Sequence, residues 1–342
     1  MKSILNKKSL FSFFITLIAI VSLVGCTTTS GSGDDDEDVL TLTLGHNMNE
    51  SHTVSEALMS FVEKVEERTE GKVNISVFPN GQLGSETEML EQLQAGVLDM
   101  VKVGSPGMAN YYDAYHAFGL PFLFKDQEHF ARVMTSSDME EFFQSSVDKG
   151  FVTLTYYTSG QRSFYTKDKE IRKPEDLNGL NIRVQDMRTQ TDMVRAMGGT
   201  PVAMAYGDVY TSLQTGMIDG TENNETALTE GQHGEVAKFY SYTEHAIIPD
   251  VFVMSERTWN ELSPENREIF IQAAKETTEE HTKVWNQAVE EAIERAKSDM
   301  GVTFVTDVDK EAFRSATSQI IDKYIGEYPA IDEIVSIIGS VD

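Results

Sequence analysis

From Val39 the apolar residues alternate with polar ones, Leu40, Leu42 and Leu44 being separated by Thr41 and Thr43. A period of two predicts a half-buried β-strand, which runs into Gly45-His46-Asn47. The period then lengthens: Val54, Leu58, Phe61, Val62 and Val65 fall three or four apart, while Glu63, Lys64, Glu66 and Glu67 mostly take the opposite face. That spacing predicts an amphipathic helix, stopped by Gly71. Val73, Ile75 and Val77 alternate again as a second strand, and Pro79-Asn80-Gly81 supplies the turn after it. Ser85 is placed to cap a second helix whose apolar face is Met89, Leu90, Leu93 and Val97, with Gly96 near its end. Alternation of strand and helix predicts an α/β sheet.

Gln94-Ala95-Gly96-Val97-Leu98-Asp99 recurs 120 residues later as Gln214-Thr215-Gly216-Met217-Ile218-Asp219, and Leu93 matches Leu213. Each copy reads as a helix ending at a glycine that turns the chain into a short apolar strand closed by an aspartate, as expected of two lobes wired alike. The second half opens with a strand-like run, Phe151 to Tyr157, followed by Ser159-Gly160-Gln161-Arg162. A loop with Pro174 and Gly179 precedes Ile182-Arg183-Val184, a strand leading to a helix start near Thr189. From Ser263-Pro264 to about Lys297 the chain is helical, as one helix or two end to end, with apolar contacts expected from Ile269, Ala273, Val284, Ala288 and Ala292. As one piece it would extend roughly 50 Å at 1.5 Å per residue, enough to brace two lobes.

The N-terminus changes the setting. Lys2, Lys7 and Lys8 precede a 14-residue uncharged stretch, Phe11 to Val24, and then Gly25-Cys26. A bilayer-spanning helix needs about 20 apolar residues, so the segment reads as a signal peptide over residues 1–25. Cys26 is the only cysteine, which leaves no partner for a disulfide, and its position resembles a lipobox in which the new N-terminal cysteine carries lipid. Residues 26–38, Thr/Ser/Gly-rich and then Asp34 to Asp38, read as a flexible, self-repelling acidic tether. The protein is thereby expected outside the cytoplasm, lipid-anchored to the outer face of the membrane or periplasmic.

The formal net charge is −27, and loss of the signal peptide removes three lysines and deepens it. Nucleic-acid binding needs a basic footprint and is excluded as a reading. In so acidic a chain, cations beside apolar runs are informative. There is no G-x-S-x-G elbow, no phosphate-binding G-x-x-x-x-G-K-[ST] loop and no H-E-x-x-H zinc helix. His46 and His52, with Glu50 between them, lack a spacing that would bind metal, and methionines such as Met204 and Met217 read as core filler. Neither metal nor cofactor is expected, and no catalytic pair is nominated, so the reading is of a binding protein and not an enzyme. Arg162 and Arg183 stand out because each adjoins an apolar strand-like run, where a buried guanidinium is costly unless an anion meets it. Its planar fork matches both oxygens of a carboxylate; the partner is either a bound acid or one of the chain's 55 acidic residues.

Several blocks in order carry a family resemblance: Phe78-Pro79-Asn80-Gly81-Gln82-Leu83-Gly84, Gly96-Val97-Leu98-Asp99, Leu120-Pro121-Phe122, the run from Pro174 to Val184, and the run from Val209 to Asn223. Over residues 39–335 the chain resembles the solute-binding subunits of TRAP (tripartite ATP-independent periplasmic) transporters, the DctP-like family. The resemblance implies a two-lobed α/β fold like that of periplasmic binding proteins, a Venus flytrap with mixed sheets and a long helix spanning both lobes. Residues 39–159 and 250–288 would form lobe I, and residues 160–249 and 289–342 lobe II. It implies that Arg183 grips a ligand carboxylate, Arg162 is a second arginine, Asn223 positions the carboxylate or a neighbouring hydroxyl, and Tyr206 forms an aromatic wall. His46, Asn47, Glu86 and Asp186 would lie at ligand-proximal positions. Gly104 and Gly107 replace the acid and arginine of sialate-binding members, which disfavours sialate. Tyr156-Tyr157, Ser159-Gly160-Gln161-Arg162-Ser163-Phe164-Tyr165 and Glu222-Asn223-Asn224-Glu225 look like members that take hexuronates, with Asn224 a further polar partner; a C4-dicarboxylate is the alternative ligand, and an exported sugar-acid enzyme or a ligand sensor is the alternative of a different class. The implied partners are a small organic acid and the small and large TRAP permease components, with the binding protein acting as a monomer.

Overall fold

The computed structural model describes residues 39–342. Residues 1–38, on which the expected signal peptide, lipidated Cys26 and acidic tether fall, lie outside the described residues. Eleven strands appear among those described: β1 (Leu40–Gly45), β2 (Val73–Phe78), β3 (Met100–Gly104), β4 (Phe151–Tyr157), β5 (Gln161–Thr166), β6 (Asn181–Val184), β7 (Thr200–Ala203), β8 (Gly220–Asn223), β9 (Phe239–Ile247), β10 (Asp250–Ser255) and β11 (Thr303–Val305). They form two mixed sheets, ordered β2-β1-β3-β10-β4 and β11-β9-β5-β8-β6-β7.

The alternation that starts at Leu40 becomes a parallel pair, β1 on β2, in register from Leu40 opposite Val73 to Gly45 opposite Phe78. The intervening helix Thr53–Arg68 buries Val54, Leu58, Phe61, Val62 and Val65. The helix Glu86–Gln94 begins with a capping box, Ser85 and Glu88 exchanging side-chain to backbone hydrogen bonds. It is followed by Gly96 at φ +68°, a left-handed turn that glycine enters without a Cβ penalty.

The same wiring recurs in the second sheet. β6, helix Arg188–Ala196, β7, helix Val209–Thr215 and β8 repeat the order of β1 to β3, and both parallel cores read second-first-third, β2-β1-β3 and β7-β6-β8. The echoed aspartates do not close a strand, as the sequence had led us to expect. Asp99 and Asp219 stand just before β3 and β8 and tie each incoming strand to its neighbour. Asp99 Oδ2 accepts from Thr43 N at 2.8 Å and Thr43 Oγ1 at 2.9 Å, and Asp219 Oδ2 accepts from Asn181 N at 2.7 Å.

The chain passes between the sheets at 158–160 and at Ile248-Pro249, and Ser159 Oγ donates to Ile248 O at 2.6 Å, fastening the two crossings together. Behind them runs one unbroken helix, Pro264–Ser298, packed on helix Thr53–Arg68 and β4 near its start and on Thr226–Thr229 farther along. Trp285 of this helix lies against Gly160, where a Cβ would come within 3.2 Å of the indole and φ is +67°. Its buried stripe differs from the one expected. Val284 is exposed, and the buried positions are Phe270, Ala273, Ala274, Thr277, Thr278, His281, Trp285, Ala292 and Ala296. Polar residues could enter that stripe because β4 pairs them: Thr278 Oγ1 donates to Tyr156 O, and His281 Nε2 meets Thr158 O at 2.9 Å.

After β11, helix Lys310–Glu327 packs on β9, whereas helix Pro329–Ser340 packs on residues 113–119. Its end is held by the segment 127–134, with His129 Nε2 3.0 Å from Val341 O and Arg132 Nε donating to Asp342 O. Helix Pro329–Ser340 thus lays its apolar face, Ile331, Ile334 and Ile338, over first-half residues.

Candidate functional site

A cavity of about 590 Å³ opens between the two sheets, within the usual range of roughly 300 to 1,000 Å³ for small-molecule pockets. The strands deliver their side chains to it by simple alternation. On β6, Ile182 and Val184 enter the core, so Arg183 projects from the opposite face into the cavity wall.

Arg183 is 3% exposed. Its Nε and Nη2 both donate to Met204 O, at 3.0 and 2.9 Å, which fixes the plane of the guanidinium. Among the described residues no carboxylate lies within ion-pairing distance of it, and Nη1 has no protein acceptor. Burial pulls its pKa below the usual arginine range; Glu222 opposes that effect and the neighbouring Arg162 adds to it.

Arg162, on β5, took the other alternative open to it. It is bound to an internal acid, Nε to Glu222 Oε2 at 2.5 Å and Nη2 to Oε1 at 2.9 Å, a two-toothed pair inside the second sheet. Burial alone would raise the Glu222 pKa, but Arg162 and the nearby His245 hold it at about 2. Arg162 Nη1 also donates to Asn223 Oδ1 at 2.7 Å, which accepts from Asn224 N as well. With its oxygen so committed, Asn223, which lines the cavity, has its amide NH2 left to donate. Asn224 Oδ1 is taken by Thr226, and Tyr206 adds an aromatic wall whose ring stands 5.4 Å from that of His233.

The wall from the first sheet is acidic. Glu86, the first residue of its helix, accepts from Gly104 N at 3.1 Å, and its Oε1 lies 3.6 Å from Lys102 Nζ. Asp250, the first residue of β10, places Oδ2 3.2 Å from the same ammonium. Burial raises the Glu86 pKa, with Lys102 pulling the other way and Asp250 adding to the rise. Asn47 lines this wall, while Asp186 sits on the exposed rim.

His46 does not reach the cavity. It is wholly buried under the end of β1, 3.4 Å from Ser55 Oγ, and burial together with Lys102 lowers its pKa to about 4. The strand turns its side chain inward one position before Asn47, and His52 lines the wall in its place, with Nδ1 accepting from Val54 N as a helix cap. Asp250 and Lys102 were not legible as site residues: one follows a proline in a long apolar run, and the other interrupts the apolar strand Met100–Gly104. Charged residues inside such runs were the only available signal. A Cβ on Gly104 would stand 3.0 Å from Gln185 Nε2, and one on Gly107 3.0 Å from Leu90 Cδ1, so this chain's own side chains already occupy the space next to both glycines. No group of three or more His, Cys, Asp or Glu side chains converges for a metal among the described residues.

Comparison with known proteins places these features in a family. The family DctP, bacterial extracellular solute-binding protein, family 7, matches residues 44–327. The protein YiiZ of Salmonella typhimurium is 40% identical over 273 residues, which cover 80% of this chain and 83% of that protein. A TRAP periplasmic solute-binding protein from Anaerococcus prevotii with bound D-glucuronate superposes with a TM-score of 0.84 at 35% identity, over 88% of this chain and 97% of that one. One from Sulfitobacter sp. NAS-14.1 with bound β-D-galacturonate has the same TM-score of 0.84 at 34% identity, over 87% of this chain and 99% of that one.

Proposed function

Because this chain belongs to the DctP family of bacterial extracellular solute-binding proteins, we propose that it captures a sugar acid, of the hexuronate type, and hands it to the membrane subunits of a TRAP transporter. The observation that carries this reading is Arg183: a buried guanidinium, oriented by Met204 O and lining the cavity, with no carboxylate among the described residues within ion-pairing distance. An unpaired buried charge is costly, and a ligand carboxylate removes that cost while fitting the free edge of the fork. Asn223 is placed to donate to the same carboxylate or to an adjacent hydroxyl. The relatives that hold D-glucuronate and β-D-galacturonate support the ligand class.

The lobes divide, in this proposal, at 158–160 and Ile248-Pro249, and close over the ligand by bending there. Closure is favoured only because the closed state gains ligand contacts that the open state lacks. The membrane subunits then distinguish loaded from empty protein by its shape. Cys26 carries the lipid that keeps residues 39–342 near the permease, with residues 26–38 as tether.

A thermal-shift screen of residues 39–342 against hexuronates, aldonates, C4-dicarboxylates and aromatic acids tests the reading. A true ligand at 100 times its Kd adds about 2.7 kcal/mol of stability. Stabilisation by D-glucuronate or D-galacturonate is the expected result. Stabilisation by a C4-dicarboxylate, with no response to either hexuronate, would contradict it.

A further inference from the structure

We infer that Asp250, held by the buried ammonium of Lys102, selects a hydroxyl over a second carboxylate at the end of the ligand opposite Arg183. The inference rests on the reading above and deepens it by assigning the chemistry of the ligand's far end.

Lys102 lies between Val101 and Val103 in the middle of β3 and is entirely buried. Its Nζ forms no hydrogen bond of good geometry; instead it stands 3.2 Å from Asp250 Oδ2 and 3.6 Å from Glu86 Oε1. One ammonium between two carboxylates leaves an excess of one negative charge. The trio is carried on regular elements. Asp250 pairs with Gly104 across the antiparallel β10–β3 ladder, and the Gly104 amide is the group that fixes Glu86. Lys102 does not line the cavity, whereas Asp250 and Glu86 do, so the lysine is a positioning residue acting through them.

The two carboxylates that line this wall, Glu86 and Asp250, can only accept hydrogen bonds when ionised. Asp250 Oδ2, Asn47 Oδ1 and Gln185 Oε1 are buried, and no donor among the described residues hydrogen-bonds to them. Buried acceptors require donors. A sugar hydroxyl brings an O–H to the carboxylates that line the cavity, and the pairing with an ionised acceptor is the stronger kind. A second carboxylate brings no proton at neutral pH and meets Asp250 and Glu86 as like charges, a repulsion that excludes wrong partners. The cavity is therefore matched to an acid with its anionic group at one end and hydroxyls at the other, and mismatched to an acid with carboxylates at both ends.

Calorimetric titration of D-glucuronate, with one carboxylate, and D-glucarate, with a carboxylate at each end, into the wild type and Asp250→Asn tests this. The wild type should prefer D-glucuronate. The isosteric Asp250→Asn should weaken D-glucuronate binding roughly 10- to 100-fold, the equivalent of losing a hydrogen bond to a charged group, and affect D-glucarate less, so that the preference falls at least about tenfold. Lys102→Met should shift the preference the other way, because it leaves the two acids unneutralised, whereas a merely structural lysine would lower both affinities together. Glu86→Gln, expected to act in the same direction as Asp250→Asn, serves if Asp250→Asn lacks a native circular dichroism spectrum. An unchanged preference in both acid variants, or a wild type that binds the two acids equally, would overturn the inference. Arg183→Ala separates the two claims: loss of D-glucuronate binding there, with an unaltered preference in Asp250→Asn, removes this inference alone. Failure of the wild type to bind either acid removes both.

Discussion

The two strand-helix-strand-helix-strand units, Leu40–Gly104 and Asn181–Asn223, share strand order, a left-handed glycine turn and an aspartate that ties one strand to the next. They differ in the charge they bring to the cavity. The first, with β10 beside it, presents Glu86 and Asp250 around Lys102, one negative charge in excess. In the second, with β5 beside it, Arg162 and Glu222 cancel and Arg183 is left over, one positive charge in excess. The shared unit determines where strand ends meet; the residues at those ends determine what is held there. On the proposed function, a cleft polarised in this way would orient an asymmetric acid with its carboxylate toward Arg183.

The largest effect is expected at the positive pole. Arg183→Ala should cost about 2 to 5 kcal/mol of binding, enough to abolish the calorimetric signal at ordinary concentrations. An affinity within threefold of wild type would mean that the second unit does not supply the anion site.

Next comes an acid just beyond the second unit, one that does not line the cavity. Burial, with Glu244 nearby, raises the Glu225 pKa from an ordinary 4.5 to about 7. The native state thus holds that proton more tightly than the unfolded chain, a contribution fully present below about pH 4.5 and lost as pH rises through 7. Glu225→Gln should match the wild type in denaturant titrations at pH 4 and exceed it by roughly 3 kcal/mol at pH 8. Equal stability at both pH values would show that Glu225 is not buried as described.

The echoed aspartates test how alike the units are. Among the described residues, the Asp99 carboxylate accepts from Thr43 N, Thr43 Oγ1 and Thr258 Oγ1, whereas that of Asp219 accepts only from Asn181 N. Asp99→Ala should therefore cost roughly 2 to 3 kcal/mol in thermal or chemical unfolding and Asp219→Ala about 1. A reversed order would contradict the assigned hydrogen bonds.

The smallest effect is expected where the halves touch outside the cavity lining: Glu230 of the second half accepts from Asn49 Nδ2 at 3.1 Å and Ser51 Oγ at 3.0 Å of the first. Glu230→Ala should speed ligand release with a loss of about 0.5 to 1 kcal/mol, measured by stopped-flow. A larger loss would place Glu230 in the binding site itself.

Much of this architecture was readable in advance because it is local. Two-residue alternation at Leu40 to Leu44 and Val73 to Val77 marked strands, Ser85 marked a helix start, and the repeat ending in Asp99 and Asp219 marked two matched units. Contacts made over long sequence distances were not readable. Nothing near Arg162 signals that Glu222 will lie beside it across the β5–β8 pair, nor that Arg183 will lack such a partner. Lys102 and Asp250 meet only because β10 returns from the second half to lie against β3. The buried face of the long helix was misread for the same reason: Thr277, Thr278 and His281 are polar by sequence and become core residues through hydroxyl and carbonyl groups supplied by β4. His46 was displaced from the expected site by a single position, since neighbouring residues at a strand end point in opposite directions.

The most direct measurement is a crystal structure with D-glucuronate bound. The account predicts the ligand carboxylate on Arg183 Nη1, within about 3 Å, and ring hydroxyls on Asp250 and Glu86. A carboxylate turned toward Lys102, with Arg183 drawn onto an acid of the protein, would contradict it.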